Sequence, residues 1–221
     1  MEFLRLLEGI RSPFFDQFFL LITRLGEETL FIVIGLIFFW CINKKEGYYI
    51  LSVGLVGTII NQFLKIVFRV PRPWIKDPNF TTVGNSKVAA TGYSFPSGHT
   101  QSSAGMFGSV ARWNKNIIIR TVCIVLCVLV GFSRMYLGVH TPADVIVSLC
   151  IAMILIFSAY PLFKKAESSP RVMYAILFSL LGAVVAYLCF IMLWRFPEEV
   201  YSVANVHNLI SARKNGFTLL G

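Results

Sequence analysis

The chain has 221 residues, 56% of them hydrophobic and only 14% charged, with a mean hydropathy of +0.71. A soluble domain of this size carries about 25% charged residues, so too little polar surface is present to cover a water-soluble globule. The formal charge of +9 lies mostly at the ends of apolar runs, a placement that fits lipid headgroups and topology control rather than a nucleic-acid-binding stripe.

In chain order, the start from Met1 to Arg5 has no small-residue cleavage site after a short apolar stretch, so it reads as part of an uncleaved protein. Residues 3–24 are rich in Phe and Leu but interrupted by Glu8, Arg11, Pro13 and Asp16. They either cross the membrane or lie in its interface as an amphipathic helix broken at Pro13, and the interfacial reading is preferred. A spanning helix needs about 20 mostly apolar residues, and six runs qualify as candidates: 28–43, 47–68, 97–113, 117–132, 142–163 and 172–194. After Trp194 comes a mixed polar stretch. Phe217 to Gly221 then looks like the start of another apolar run, so the tail 195–221 is expected to be cut short. The five cysteines all lie inside apolar runs with no His or acidic partner nearby and read as buried free thiols. The expected fold is therefore all-α. It is one membrane domain over residues 1–221, a polytopic bundle of about six transmembrane helices (28–194) preceded by an N-terminal amphipathic or spanning helix.

Flanking charge sets the orientation. The loops after the first, third and fifth runs carry eight Lys and Arg residues, including Lys44, Lys45, Arg112 and Lys164. The opposite loops, 69–96 and 133–141, carry three once Arg72 and Arg134 are set aside for the role argued next. Those two loops are expected to face outward.

They also hold three unusual polar clusters. Lys65 lies one turn inside the end of the second run, where Pro71 and Pro73 stop the helix, and Arg72 stands between them. Taken alone, such a lysine snorkels to the headgroups. In the stretch from Tyr93 to Thr100, Ser97 is a good N-cap, and Gly98 with its neighbours offers free backbone N–H groups to an anion. His99 sits in that first turn, either as an ordinary interfacial histidine or within reach of the anion. From Ser133 to Asp144, Thr141 reads as an N-cap, Pro142 as the first helical residue and Asp144 as the third. Asp144 is a capping carboxylate, a partner that holds His140, or both if its two oxygens divide the work.

Together the clusters bring Lys65, Arg72 and Arg134 to one face of the membrane with two histidines and a carboxylate. Phosphoryl transfer needs this set: cations and N–H groups for the equatorial oxygens, one histidine to attack phosphorus and another to protonate the leaving oxygen. No carboxylate cluster suited to magnesium or a zinc pair accompanies them.

These residues resemble the type 2 phosphatidic acid phosphatase superfamily, the lipid phosphate phosphatases. The family pattern is present in order: Lys65 to Arg72-Pro73, then Pro96-Ser97-Gly98-His99, then Ser133-Arg134 to His140 to Asp144. The resemblance implies that His140 is the nucleophile that forms a phosphohistidine, with Asp144 orienting it. His99 would be the general acid, and Lys65, Arg72, Arg134, Ser97 and the N–H of Gly98 would bind phosphate. It also implies no metal and no cofactor, and a lipid phosphate or pyrophosphate as substrate. The compact chain resembles bacterial members of the plasma membrane, with the site on the extracytoplasmic side. Undecaprenyl pyrophosphate heads the substrates, before phosphatidylglycerophosphate, phosphatidic acid and diacylglycerol pyrophosphate. A lipid phosphotransferase would use the same residues. A non-catalytic lipid or anion transporter would need polar residues along a through-path, and runs three to six have almost none away from the outer face. His207 lies outside every motif and reads as a loop or interfacial residue.

Overall fold

The computed structural model describes residues 1–194 and Ile210. The expected tail and His207 lie outside the described residues. Ten α-helices follow one another there: α1 (Glu2–Gly9), α2 (Pro13–Arg24), α3 (Glu28–Ile37), α4 (Lys44–Phe68), α5 (Pro73–Lys76), α6 (Ser86–Ala89), α7 (Gly98–Trp113), α8 (Ile117–Tyr136), α9 (Pro142–Ala166) and α10 (Pro170–Leu193). A π-helical turn, Phe38–Ile42, extends α3.

Local chemistry sets the boundaries. The Asn43 side chain caps α4 by accepting from Lys45 N at 3.1 Å and Glu46 N at 3.3 Å. The same helix ends at Arg69, which adopts a left-handed conformation (φ 48°) just before Pro71. Asn116 caps α8, and α9 opens on a complete capping box of Thr141 and Asp144 with Pro142 at its first position.

α7 is the central post, packed on α4, α8 and α9. Its face is made of small and hydroxyl residues. Thr100, Ser103 and Ser109 are fully buried, and small side chains let membrane helices approach closely. α10 is peripheral and leaves Phe178 and Leu193 exposed, as suits a lipid-facing helix.

The chain is a helical membrane protein, and its helices match the six expected runs unequally in length. Among the described residues four helices are long and apolar enough to cross a membrane, or five if α2 and α3 are one span bent by 51°. Two expected spans account for the difference. α7 has 16 residues rich in Gly, Ser and Thr, and is sheltered by its neighbours instead of facing lipid. The run Glu28–Ile42 is short: at about 1.5 Å per residue it covers roughly 22 Å of a hydrocarbon core about 30 Å thick. Taken with α3 as one bent span, α2 supplies the remainder, and it packs Phe19 against Phe132 and Tyr136 of α8.

Residues 3–24, preferred as interfacial, form two separate helices, and α1 stands apart from the bent pair of α2 and α3. The break does fall at Pro13. α1 buries Leu4 and Leu7 against Phe80 and is fastened to the loop between α5 and α6. Arg5 bonds Asp77 at 2.5 Å, Thr81 N donates to Glu8 at 2.9 Å, and Arg11 donates to the Tyr136 and Thr81 carbonyls, both at 3.0 Å. Burial opposes ionisation of Glu8, but the hydrogen bonds from Thr81 and Arg5 outweigh it and hold the carboxyl below its ordinary range.

Candidate active site

One end of the bundle collects the polar clusters because α4 and α8 finish there while α7 and α9 begin. α4 delivers Lys65 in its last turn, and the segment beyond it delivers Arg72. α7 opens with Gly98 and His99, α8 closes with Arg134, and α9 opens with Asp144. His140 lies in the short connection between α8 and α9.

The two Nε2 and Nδ1 sides of His140 meet different groups. Nε2 is 2.9 Å from Arg72 Nη1, and a guanidinium can only donate. Nε2 is therefore the acceptor and the ring proton sits on Nδ1, which faces Asp144 Oδ2 at 3.4 Å. That distance is longer than a well-made hydrogen bond, and Nδ1 has no other partner among the described residues. Burial pushes the His140 pKa well below its ordinary value, and the neighbouring Arg72 charge adds to the effect. The imidazole is neutral at pH 7, with a lone pair on Nε2.

Asp144 is held as tightly as it holds. Its Oδ2 accepts from Ser94 Oγ at 2.6 Å and from Thr141 N at 2.8 Å. The capping bond and the histidine contact thus fall on the same oxygen, not on two that divide the work. Ser94 was missed in the sequence, where nothing distinguishes its hydroxyl from its neighbours.

Lys65, Arg72 and Arg134 are 7%, 5% and 4% exposed, and none forms an ion pair with a carboxylate among the described residues. Their partners are uncharged. Lys65 Nζ donates to Tyr93 O at 2.6 Å, and Arg72 donates to the carbonyls of Thr91, Gly92 and Val139 at 2.6, 3.0 and 3.0 Å. Arg134 Nη1 donates to Thr23 Oγ1 at 2.6 Å. Thr23, Thr91 and Gly92 lie in segments without motif character, and the Tyr93 and Val139 carbonyls are backbone groups that no side-chain pattern marks, so sequence reasoning did not find them.

These groups line a cavity of about 200 Å³. Lys65, Arg72, Gly98, His99, Arg134 and His140 all open onto it. Two expected site residues do not. Asp144 stands behind His140, as an orienting group would. Ser97, expected at the phosphate, is fully buried with its hydroxyl spent 2.8 Å from Thr100 Oγ1 and accepting from Thr100 N at 3.4 Å. Gly26, at the α2–α3 bend, is a further wall residue: a Cβ there would stand 2.8 Å from the His99 carbonyl. The other end of the cavity is lined by neutral polar groups on α4 and α7, among them Asn61 and Gln101.

The model of the PAP2 superfamily matches residues 45–168, a stretch that contains Lys65, Arg72, His99, Arg134, His140 and Asp144. Undecaprenyl-diphosphatase BcrC of Bacillus subtilis (strain 168) is 32% identical over 115 residues, 52% of this chain and 56% of that protein. Phosphatidylglycerophosphatase B of the same organism is 28% identical over 163 residues, 67% of this chain and 75% of that protein. The match thus spans just over half the length of the first relative. A crystal structure of Aquifex aeolicus LpxE superposes with a TM-score of 0.65 at 25% identity, covering 72% of this chain and 93% of that one.

Proposed function

The chain belongs to the PAP2 superfamily, and from that premise we propose that it hydrolyses a lipid phosphate or pyrophosphate through a phosphohistidine on His140. The observation that carries this reading is the set of three buried cations without a carboxylate partner, gathered around two histidines. Buried unpaired charge is costly, and a phosphate group supplies the missing anion.

The reaction runs in two steps. Nε2 of His140 attacks phosphorus, and the Nδ1 proton, facing Asp144, is stabilised as the ring becomes cationic. The bond from phosphorus to the leaving oxygen breaks, and that oxygen takes its electron pair and a proton from His99. An arriving phosphate, being negative, favours the protonated form of His99. Lys65, Arg72, Arg134 and the N–H of Gly98 stabilise charge on the other phosphoryl oxygens. Water then attacks phosphorus, its proton passes to His99, and the P–N bond breaks with its electron pair returning to Nε2. The products are inorganic phosphate and the lipid alcohol, or the lipid monophosphate from a pyrophosphate. Arg72 must give up its bond to Nε2 for the attack, and the incoming oxygens offer it a stronger, charge-assisted one.

The protein is read as a multi-pass protein of the plasma membrane with the site on the extracytoplasmic side, supported by the excess of Lys and Arg in the opposite loops. Its lipid would enter laterally, tail in the bilayer. Undecaprenyl pyrophosphate remains the first substrate from the sequence and is supported by the likeness to BcrC. Phosphatidylglycerophosphate is the alternative, supported by the second relative, whose match covers more of both chains.

The test is phosphate release by purified protein in detergent with EDTA, from farnesyl pyrophosphate, phosphatidic acid and phosphatidylglycerophosphate. Wild type is expected to turn over at least one of them with EDTA present, and His140→Ala to lose about 10³-fold or more. Undiminished release by His140→Ala would sink the phosphohistidine.

A further inference from the structure

The cavity has two unlike ends. One is the cationic end just described. The other is walled by Glu28 at the start of α3, by Thr58, Asn61 and Gln62 on α4, and by Gln101 and Ser102 on α7. No cation lies among these six residues. Asn61 is one helical turn before Lys65, so the two share a face of α4. It also approaches the phosphate end, since a Cβ on Gly98 would stand 3.8 Å from its Oδ1. Gln101 packs against Gly57, where a Cβ would stand 2.6 Å from its Nε2, so glycine at that position leaves room for the amide.

Asn61 and Gln101 are 2% and 3% exposed, and both polar atoms of each side chain lack a hydrogen-bond partner among the described residues. Buried polar groups are nearly always paired, and leaving one unpaired costs its desolvation. Two such amides facing a shared cavity call for a ligand. Their chemistry says which kind. Each amide offers an N–H donor and a carbonyl acceptor, and Glu28 adds acceptors. A second phosphate brings acceptors only. It would leave Asn61 Oδ1 and Gln101 Oε1 orphaned and would meet Glu28 with like charge. A hydroxyl donates and accepts at once.

We propose that the amide-lined end is a subsite for hydroxyls on the leaving alcohol, so that the preferred substrate is the phosphate monoester of a polyol-type headgroup, glycerol- or sugar-like, rather than a lipid diphosphate. This rests on the phosphatase reading above and moves the substrate away from the pyrophosphate that heads the candidates from the sequence.

Three non-hydrolysable ligands test it by equilibrium binding to the purified protein: butylphosphonate, 3,4-dihydroxybutylphosphonate and methylenediphosphonate. The first occupies only the cationic end. The dihydroxy compound is expected to bind about tenfold more tightly than butylphosphonate, the worth of one to two added hydrogen bonds. In Asn61→Leu and Gln101→Leu that margin should fall below about threefold, while butylphosphonate itself binds as to wild type within about the same factor. Equal affinity of the two phosphonates for wild type would overturn the subsite, with the cationic end still standing as a phosphate site. So would a margin that survives both substitutions. Tightest binding of methylenediphosphonate, weakened by the same substitutions, would assign the amides to a second phosphate and overturn the proposal as well. Failure of all three ligands to bind would instead remove the phosphate site on which it depends.

Discussion

Basic side chains gather at both ends of the helix bundle, and the two gatherings are built differently. At the end where α4 begins and α7 and α9 finish, Arg112 lies 3.8 Å from the ring centre of Tyr160, and Lys164 lies 3.9 Å from that of Trp113. Lys164 also pairs with Glu167 at 2.9 Å. Both of these cations have an aromatic face, and Lys164 has a carboxylate as well, so neither needs a partner from outside the chain. At the opposite end Lys65, Arg72 and Arg134 are buried on carbonyls and one hydroxyl, with no carboxylate bridging them among the described residues. The same residue types thus serve to close the fold at one end and to hold an unfilled electrostatic demand at the other. Basic charge counted along the sequence does not separate the two; the partners do.

Replacing Arg134 with Met should break this contrast most sharply. Arg134 is 4% exposed, and Met fills much of its volume without the desolvation that a buried charge costs, so stability should hold or rise. Phosphate release should nevertheless fall about 10²- to 10³-fold, the usual cost of one lost donor to a transition-state oxyanion. Thermal unfolding and phosphate release measured on the same preparation decide the matter. A variant that loses stability and activity together would place Arg134 in the frame rather than at the phosphate.

Arg112→Ala is the counterpart at the other end, with a smaller effect of opposite kind. Removing the guanidinium from the Tyr160 face should cost about 1 kcal/mol of stability. The rate of phosphate release at saturating substrate should stay within about twofold, because Arg112 does not line the cavity. A tenfold drop in that rate would show that the two ends are coupled.

The cationic end was far more legible in the sequence than the scaffold around it. Lys65, Arg72, His99, Arg134, His140 and Asp144 stand at fixed spacings beside helix ends, and charged groups at the margin of apolar runs draw notice by themselves. The count of spans was harder to read. Residues 13–24 and 28–42 each looked like something other than half a span, because a bent span has no continuous apolar run to count. Residues 97–113 read as a spanning run, although their Gly, Ser and Thr face is made for burial against helices. Ser97 illustrates a different limit. As an N-cap its hydroxyl is already spent, and a motif does not say which atoms remain free. Asn61 and Gln101 were within reach, one turn from Lys65 and two residues from His99, but a single amide in an apolar run carries no period or spacing to mark it. Their meaning comes from lacking partners, which only coordinates reveal.

The smallest of these effects separates the cationic end from the N-terminal helix by pH. Burial holds His140 neutral in the folded protein, with its pKa well below the ordinary value, whereas in the unfolded chain it titrates near 6.5. Below about pH 6.5 the unfolded state therefore binds a proton that the folded state refuses, and stability falls as pH drops through that window. His140→Gln removes the titrating group, so between about pH 7 and 5 its melting temperature should decline less than that of wild type. Glu8 acts in a lower window. Its folded pKa lies below the ordinary value, so its contribution is complete above about pH 4.3 and is lost as pH falls further. Glu8→Gln should accordingly lower stability at pH 7 yet leave the slope between pH 7 and 5 as in wild type. Melting temperatures across both windows for the two variants distinguish the ends: a slope between pH 7 and 5 unchanged by His140→Gln would mean that His140 is not held neutral, and its Nε2 would then lack the free lone pair that attack on phosphorus requires.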